Sequence, residues 1–115
     1  MKNVKRYGMV IGLKKEKVDE YKKLHKNVWE DVLKIIKECN VENYSIYLCK
    51  FEKDKYYLFS YFEYTGNDFE TDMVKMASDS ATQKWWKRCK PCQIPLDSGT
   101  ESDGWMNMEE VFHND

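Results

Sequence analysis

Apolar residues recur along the chain with two different periods, and the change between them divides the sequence into predicted strands and helices. An apolar run rich in β-branched residues, RYGMVIGL at 6–13, predicts a first strand. From Lys15 to Cys39, apolar or aromatic residues recur at steps of three and four, with lysines and glutamates between them, which predicts one amphipathic helix. Asn40 suits the left-handed residue that ends such a helix.

A β-hairpin is predicted after this helix. Alternation places Tyr44, Ile46 and Leu48 on one face of a strand over residues 43–51. Lysines and an aspartate then turn the chain, and the aromatic run YYLFSYFEY at 56–64 predicts the partner strand, because aromatic side chains favour a pleated surface.

The second half of the chain predicts two short helices, a long loop and a final strand. Aspartate, asparagine and serine before each apolar segment are good helix N-caps, whereas proline and glycine interrupt the region that follows. In chain order these segments are a helix from Asn67 or Asp68 to about Ala77, a helix from Asp79 or Ser80 through Cys89, a loop from Pro91 to Met106, and a strand in MEEVFHND at 108–115.

The element order β-α-β-β-α-β predicts an α+β protein with the ferredoxin-like split βαβ plait, formed by a single domain over residues 1–115. The helices of this fold cover only one face of its antiparallel sheet. Both faces of the predicted strands carry aromatic residues, and an exposed aromatic face is unfavourable for a monomer. We therefore expect a second subunit or a ligand to cover the other face.

Composition and charge exclude several classes of protein. Charged residues make up 34% of the chain but nearly cancel to a net charge of −1, which predicts no nucleic-acid partner and no membrane surface. No apolar stretch is long enough to span a bilayer, and the N-terminal residues do not resemble a secretory signal. The expected location is the cytoplasm.

The cysteines do not form a convincing metal or redox motif. Cys89 and Cys92 have the spacing of half a zinc site or of a redox pair, but Cys39 and Cys49 do not supply the second half. The C-K-P-C segment also lies at the end of a predicted helix, whereas thioredoxin-like motifs lie at the start of one. We therefore expect reduced thiols, with neither redox nor metal chemistry at these cysteines.

The first helix carries the most unusual candidate residues, Tyr21, His25 and Trp29, at intervals of four. Residues four apart lie on one ridge of a helix, here on the apolar side that faces the sheet. Two interpretations fit: the three side chains fill the core, or His25 is an acid/base group, since histidine titrates near neutral pH, with the Tyr21 hydroxyl beside it.

Further candidates lie elsewhere in the chain. Trp85 and Trp86 are about 100° apart on a helix, so they cannot both face one point; either they pack in the core and an interface or they form a wall against a sugar ring. Tyr44, at a strand start, can place its hydroxyl in a cavity. Glu110 shares a strand face with Met108 as a buried or an exposed carboxylate, and His113 is expected to be solvated.

Together these segments resemble one known family. Four segments are similar in order and spacing to those of L-rhamnose mutarotase. They are Y-x-x-x-H followed by W in the first helix, N-Y-S-I-Y in the second strand, Q-K-W-W, and M-E-E-V-F near the C-terminus. The resemblance covers about residues 5 to 113 and implies a dimeric α+β barrel, a homodimer. It further implies an isomerase that interconverts the α and β anomers of L-rhamnose in rhamnose metabolism, without metal or cofactor.

By position, the resemblance places the family's proton-donor histidine on His25 and its sugar-contacting residues on Tyr21, Tyr44, Trp85 and Trp86. One departure is the segment K-N-V-W-E after His25, where relatives often have N-P-I-W-P; without the prolines, a more regular helix is expected there. A second is the long acidic loop QIPLDSGTESDGW. Both departures affect the choice of sugar more than the reaction.

Other functions remain compatible with these residues. The same fold could form an oxygenase-type enzyme in which His25 binds haem or acts as a base, a non-catalytic module that binds a small sugar or metabolite, or a purely structural dimer. The residues contain no GxSxG, HExxH or glycine-rich phosphate loop, and anomerisation requires none of them because it needs only proton transfer to and from a hemiacetal.

Overall fold

The computed structural model describes residues 4–96 and 104–115, which form helices and strands in the predicted alternation. Single 3₁₀ turns precede the first helix, connect the hairpin strands and follow the last helix. The helices are α1 (Val18–Lys26), α2 (Glu30–Glu38), α3 (Phe69–Ala77) and α4 (Ser80–Cys89). The strands are β1 (Lys5–Leu13), β2 (Val41–Phe51), β3 (Lys55–Tyr64), β4 (Gln93–Ile94) and β5 (Met106–Met108).

The strands form one antiparallel sheet in the order β2-β3-β1-β4, and β5 also pairs with β1. Register places Ile11 opposite Leu58 and Leu58 opposite Leu48, so three apolar side chains cross the sheet on one face. This order and the helices between the strands confirm the predicted α+β, ferredoxin-like fold.

The helices cover one face of the sheet and form the core with it. The residues buried there are apolar, aromatic or sulfur-containing, and they alternate along the strands as a half-covered sheet requires. They are Ile11, Leu13, Tyr21, Val32, Leu58, Trp85, Cys89 and Cys92. Tyr21 and Trp85, both candidate site residues, therefore lie in the core between the helices and the sheet.

The other face of the sheet is open, as the alternation predicted. Tyr47 is 63% exposed and Phe51 48% exposed. Phe51 packs edge-on against Tyr57, 5.2 Å between ring centres, and lies near Phe59, so the aromatic rings contact one another. We call this surface, formed by Tyr47, Phe51, Tyr57, Phe59 and Tyr61, the open face.

The predicted continuous helix from Lys15 to Cys39 is wrong. The chain leaves helical geometry at Asn27, with φ −136° and ψ 73°, and Trp29 is extended before α2 begins at Glu30. The expectation of a more regular helix at this point is therefore also wrong. Apolar residues keep a helical spacing through the break, which explains why the periodicity did not reveal it.

The helix boundaries follow the predicted capping residues. Asn40 has φ 64°, the left-handed conformation expected after α2. Asp68 and Asp79 are the N-caps of α3 and α4, and their carboxylates accept hydrogen bonds from the backbone N–H groups of Thr71 and Thr82. No helix in the part of the chain that the structure describes is long and apolar enough to cross a membrane.

The C-terminal region differs most from its prediction. The strand expected over 108–115 is instead β5, which ends at Met108, and Glu110 is not buried: its side chain is 47% exposed and pairs with Arg6 at 2.9 Å. His113 bonds Asp115 at 2.8 Å. The predicted loop contains β4, which pairs with β1, while its residues 97–103 lie outside those described.

Candidate functional site

His25 lies in the last turn of α1, where its ring is held by one hydrogen bond and two aromatic contacts. Nδ1 lies 2.9 Å from the backbone carbonyl oxygen of Tyr21. The ring stacks on the Tyr21 phenol at 4.2 Å and meets the Trp85 indole edge-on at 5.2 Å. A carbonyl oxygen only accepts hydrogen bonds, so Nδ1 carries the hydrogen and Nε2 carries the lone pair when the ring is neutral.

The surroundings of His25 favour this neutral form. The ring is half-buried, and burial lowers its pKa below the usual 6.5, although the Tyr21 carbonyl opposes this shift by stabilising the protonated ring. At neutral pH the imidazole is therefore a base whose Nε2 is ready to accept a proton. The predicted ridge of Tyr21, His25 and Trp29 holds for Tyr21 and His25 but is wrong for Trp29, because α1 ends at Lys26 and Trp29 is extended.

Tyr21 contributes to the site through both its backbone and its side chain. It is 5% exposed, and burial raises the pKa of its hydroxyl well above 10. Cys89 adds to this rise in pKa, whereas the Gln93 side chain opposes it. The phenol thus stays protonated at neutral pH and can serve as a hydrogen-bond donor.

Tyr44 reaches toward the same place from β2. The residue is 44% exposed as a whole, yet burial around its hydroxyl, with Cys89 beside it, raises the pKa of that group to about 12. Its ring packs edge-on against Phe62 at 5.6 Å, on the helix-covered side of the sheet. One part of the ring is therefore open, while another packs on the covered side of the sheet.

The two adjacent tryptophans of α4 face different surroundings, as their 100° separation requires. Trp85 is buried between His25 and Trp29, whose ring centre lies 5.2 Å from it. Trp86 packs against the edge of the core, and the Lys90 ammonium lies 5.5 Å from the centre of its ring. Trp85 therefore contacts the histidine directly, whereas the contacts described for Trp86 are with the core edge and Lys90.

Both thiols of the cysteine pair are free and buried. Burial raises the pKa of Cys89 to about 12 and of Cys92 to about 11, and the Cys92 thiol donates to the Glu20 carboxylate at 3.2 Å. Thiols with such pKa values stay protonated and unreactive at neutral pH. Within residues 4–96 and 104–115, no three His, Cys, Asp or Glu side chains cluster as a metal site would require.

Sequence reasoning missed the position of Trp29, which lies outside α1 and packs edge-on against Trp85. The apolar spacing stays helical through this segment and gave no sign of the break. A separate polar groove of about 400 Å³ lies outside this cluster and is lined by Glu20, Lys23, Leu24 and Arg88. None of the predicted site residues lines that groove.

Comparison with known proteins gives consistent results over nearly the whole chain. The L-rhamnose mutarotase family model matches residues 6–114. The L-rhamnose mutarotase of Oceanobacillus iheyensis is 35% identical over 112 residues, which cover 97% of this chain and 100% of that protein. That of Lactiplantibacillus plantarum is 34% identical over 113 residues, 96% of this chain and 98% of its own.

Solved structures agree on the fold. The crystal structure of an L-rhamnose mutarotase from Formosa agariphila superposes with a TM-score of 0.71 at 22% identity, covering 96% of this chain and 99% of that one. A dimeric ferredoxin-like protein from an uncultured marine organism gives a TM-score of 0.50 at 11% identity, with 100% and 95% covered. The sequence matches, which extend along almost the entire chain, show that it belongs to the L-rhamnose mutarotase family of isomerases.

Proposed function

We propose that this protein interconverts the α and β anomers of L-rhamnose or a related 6-deoxyhexose, with His25 as the acid/base group. Family membership supports the reaction. The observation that carries the role of His25 is its tautomer: Nδ1 is engaged by the Tyr21 carbonyl, which leaves Nε2 as the proton acceptor.

The reaction balances with the groups that surround His25. In the opening step Nε2 accepts the proton of the anomeric hydroxyl, the C1–O5 bond breaks, and O5 receives a proton from the Tyr21 hydroxyl or from water. Rotation about C1–C2 presents the other face of the aldehyde. The imidazolium then returns its proton to the carbonyl oxygen as O5 attacks C1 and gives its own proton back to the tyrosinate or hydroxide formed in the opening step.

The remaining site residues are proposed to bind the sugar. Tyr44 and Tyr21 each keep a protonated hydroxyl at neutral pH, and both suit the hydroxyl groups of a pyranose. Trp85 and Trp86 provide indole surface for the C–H face of the ring and for the methyl group of a 6-deoxy sugar. Trp85 also limits the position of the His25 ring by its edge contact.

We further propose that the protein is a homodimer that buries the open face. Aromatic residues that are half or more exposed on a sheet face are typical of a protein interface. The dimeric ferredoxin-like protein of similar fold is consistent with this arrangement.

Exchange spectroscopy by NMR tests the reaction directly. The exchange rate between the two anomers is measured for L-rhamnose, L-fucose and D-glucose, with buffer, wild-type protein and His25→Ala. We expect L-rhamnose or another 6-deoxyhexose to exchange faster with wild type than in buffer, and His25→Ala to remove most of that increase. Sugar binding without faster exchange would contradict the catalytic proposal and support a non-catalytic binding protein.

A further inference from the structure

Trp29 is held at the start of α2 by its backbone. It is extended, with φ −62° and ψ 138°, and its carbonyl oxygen accepts the backbone N–H groups of Val32 at 3.0 Å and Leu33 at 3.1 Å. Val32 is 3% exposed, so this first turn is anchored in the core. Because the chain leaves helical geometry at Asn27, the Trp29 side chain leaves the backbone from this anchored turn and not from the ridge of α1.

From this position the Trp29 indole packs against the Trp85 indole of α4. Their ring centres are 5.2 Å apart and their planes meet at 72°, while Trp85 meets the His25 ring at 5.2 Å and 68°. Edge-on pairs of this kind are favourable, because the positive edge of one ring faces the negative face of the other. Trp85, which is 6% exposed, is therefore packed between Trp29 and His25.

The orientation of the Trp85 indole depends on what packs against it. The torsion that turns an aromatic ring about its bond to the side chain has broad minima, so neighbouring groups select the angle. Among the described residues, the aromatic rings in contact with His25 are those of Tyr21 and Trp85. Tyr21 shares a helix with His25, whereas Trp85 belongs to another helix and has Trp29 as its second ring contact.

We propose that Trp29 is a positioning residue, which holds the Trp85 indole edge-on against the His25 ring. This inference rests on the proposed anomerase function and deepens it, because it makes the helix break after α1 part of the catalytic geometry. A proton-transfer group must stay within hydrogen-bond reach of the hydroxyl that it serves, and small misplacements of such a group lower the rate. Trp29 thus affects the chemical step through Trp85 and not by contact with the sugar.

The NMR signals of the His25 ring give a readout that does not depend on turnover. A nearby indole shifts the C–H resonances of an imidazole through its ring current, and His113 is an internal reference in the same spectrum. Trp29→Leu should move the His25 signals because it releases the Trp85 indole, and Trp29→Phe, which keeps a ring, should move them less. Trp105→Leu is the matched control and should leave them unchanged. Trp105 also packs against the core, but the ring contacts of the described residues join it to neither Trp85 nor His25.

A double-mutant cycle between Trp29→Leu and Trp85→Leu separates an effect through Trp85 from a direct effect on His25. With Trp85 present, Trp29→Leu should lower kcat for anomer exchange by about threefold to tenfold, the value of one aromatic pair, with a smaller change in KM. In the Trp85→Leu background the same substitution should change kcat by less than about twofold and should barely move the His25 signals. Thermal unfolding of each variant verifies that it is folded. If Trp85→Leu does not fold, the comparison of Trp29→Leu with Trp29→Phe and Trp105→Leu decides.

The outcomes separate this role from the proposed function. Suppose that wild type accelerates anomer exchange. If Trp29→Leu then leaves either kcat or the His25 signals at the wild-type value, or changes them equally with and without Trp85→Leu, the role of Trp29 is wrong while the function stands. If wild type accelerates no sugar, the function fails and the catalytic role of Trp29 fails with it, whereas shifted His25 signals would still support the contact that Trp29 holds in place.

Discussion

Both faces of the sheet carry aromatic residues, but the two faces use them differently. On the helix-covered face, Tyr21 and Trp85 are 5% and 6% exposed, and each contacts the His25 ring at a defined distance and angle. On the open face, Tyr47 and Phe51 are 63% and 48% exposed. Aromatic residues alone therefore do not mark the site; their contact with a titratable group does.

The two faces of the sheet also differ in where their polar groups lie. On the covered face Nδ1 of His25 bonds the Tyr21 carbonyl, whereas the Ser60 hydroxyl is buried with no hydrogen-bond partner among the described residues. The open face instead has its polar groups at the rim, where Tyr61 donates to Glu63 at 2.7 Å. The first arrangement suits chemistry at one atom, and the second suits association over a surface.

Truncating one aromatic ring on each face of the sheet should give the largest difference in stability and in how stability depends on protein concentration. Trp85→Ala removes a buried indole and should lower the free energy of unfolding by about 3–5 kcal/mol at every protein concentration. Phe51→Ala should act mainly by weakening association, so its effect on urea unfolding should depend on protein concentration. If both variants lose the same free energy of unfolding at every protein concentration, the two faces do not differ as described.

A charge on the open face tests the proposed dimer. Tyr47→Glu should weaken dimerisation by about 30-fold or more, because a buried charge at the centre of an interface removes at least about 2 kcal/mol. Val74→Glu, on a 66% exposed side chain of α3, is the matched control and should leave association unchanged. Sedimentation velocity over a range of concentrations measures both, and an unchanged dimer in Tyr47→Glu would place the interface elsewhere.

Lowering the pH should destabilise the folded protein through His25, which lies on the covered face. Its pKa is lowered by burial, so the folded chain binds fewer protons than the unfolded chain between the folded pKa and 6.5. We therefore expect His25 to make the free energy of unfolding decrease as the pH falls through that range. Below its folded pKa, kcat/KM should fall about tenfold per pH unit, as the base becomes protonated. An acid limb of kcat/KM centred above 6.5 would contradict this assignment.

The smallest predicted effect comes from removing single hydroxyl groups on the two sides of β2. Tyr44→Phe should reduce kcat/KM by about fivefold to tenfold, the value of about one hydrogen bond to the sugar. Tyr47→Phe, three residues later on the opposite face, should change it by less than about twofold. If both variants retain full activity, Tyr44 does not bind the substrate through its hydroxyl.

Much of the fold could be predicted from local patterns. Alternation in β2 placed Tyr44 and Tyr47 on opposite faces of the strand. The capping residues Asp68 and Asp79 marked the starts of α3 and α4. The break at Asn27 could not be predicted, because the apolar spacing stays in phase across it. Likewise β4 has only two residues, and it exists because β1 offers a free edge, a property that no local pattern records.

The site was predictable only where its residues share an element. Tyr21 and His25 lie one helical turn apart, so their contact followed from periodicity. The contact of Trp85 with His25 joins α4 to α1, and such a pairing depends on how the elements pack.

The most direct test of the account compares the two histidines of the chain in one assay. His25→Gln and His113→Gln make the same chemical change, one in the aromatic cluster and one near the C-terminus. The assay measures the protein-dependent exchange rate between the anomers of L-rhamnose, or of the 6-deoxyhexose that wild type converts fastest. His25→Gln should lower this rate by about 10²–10⁴-fold, and His113→Gln should leave it at the wild-type value. Full activity in His25→Gln would contradict the central claim that this imidazole moves the proton.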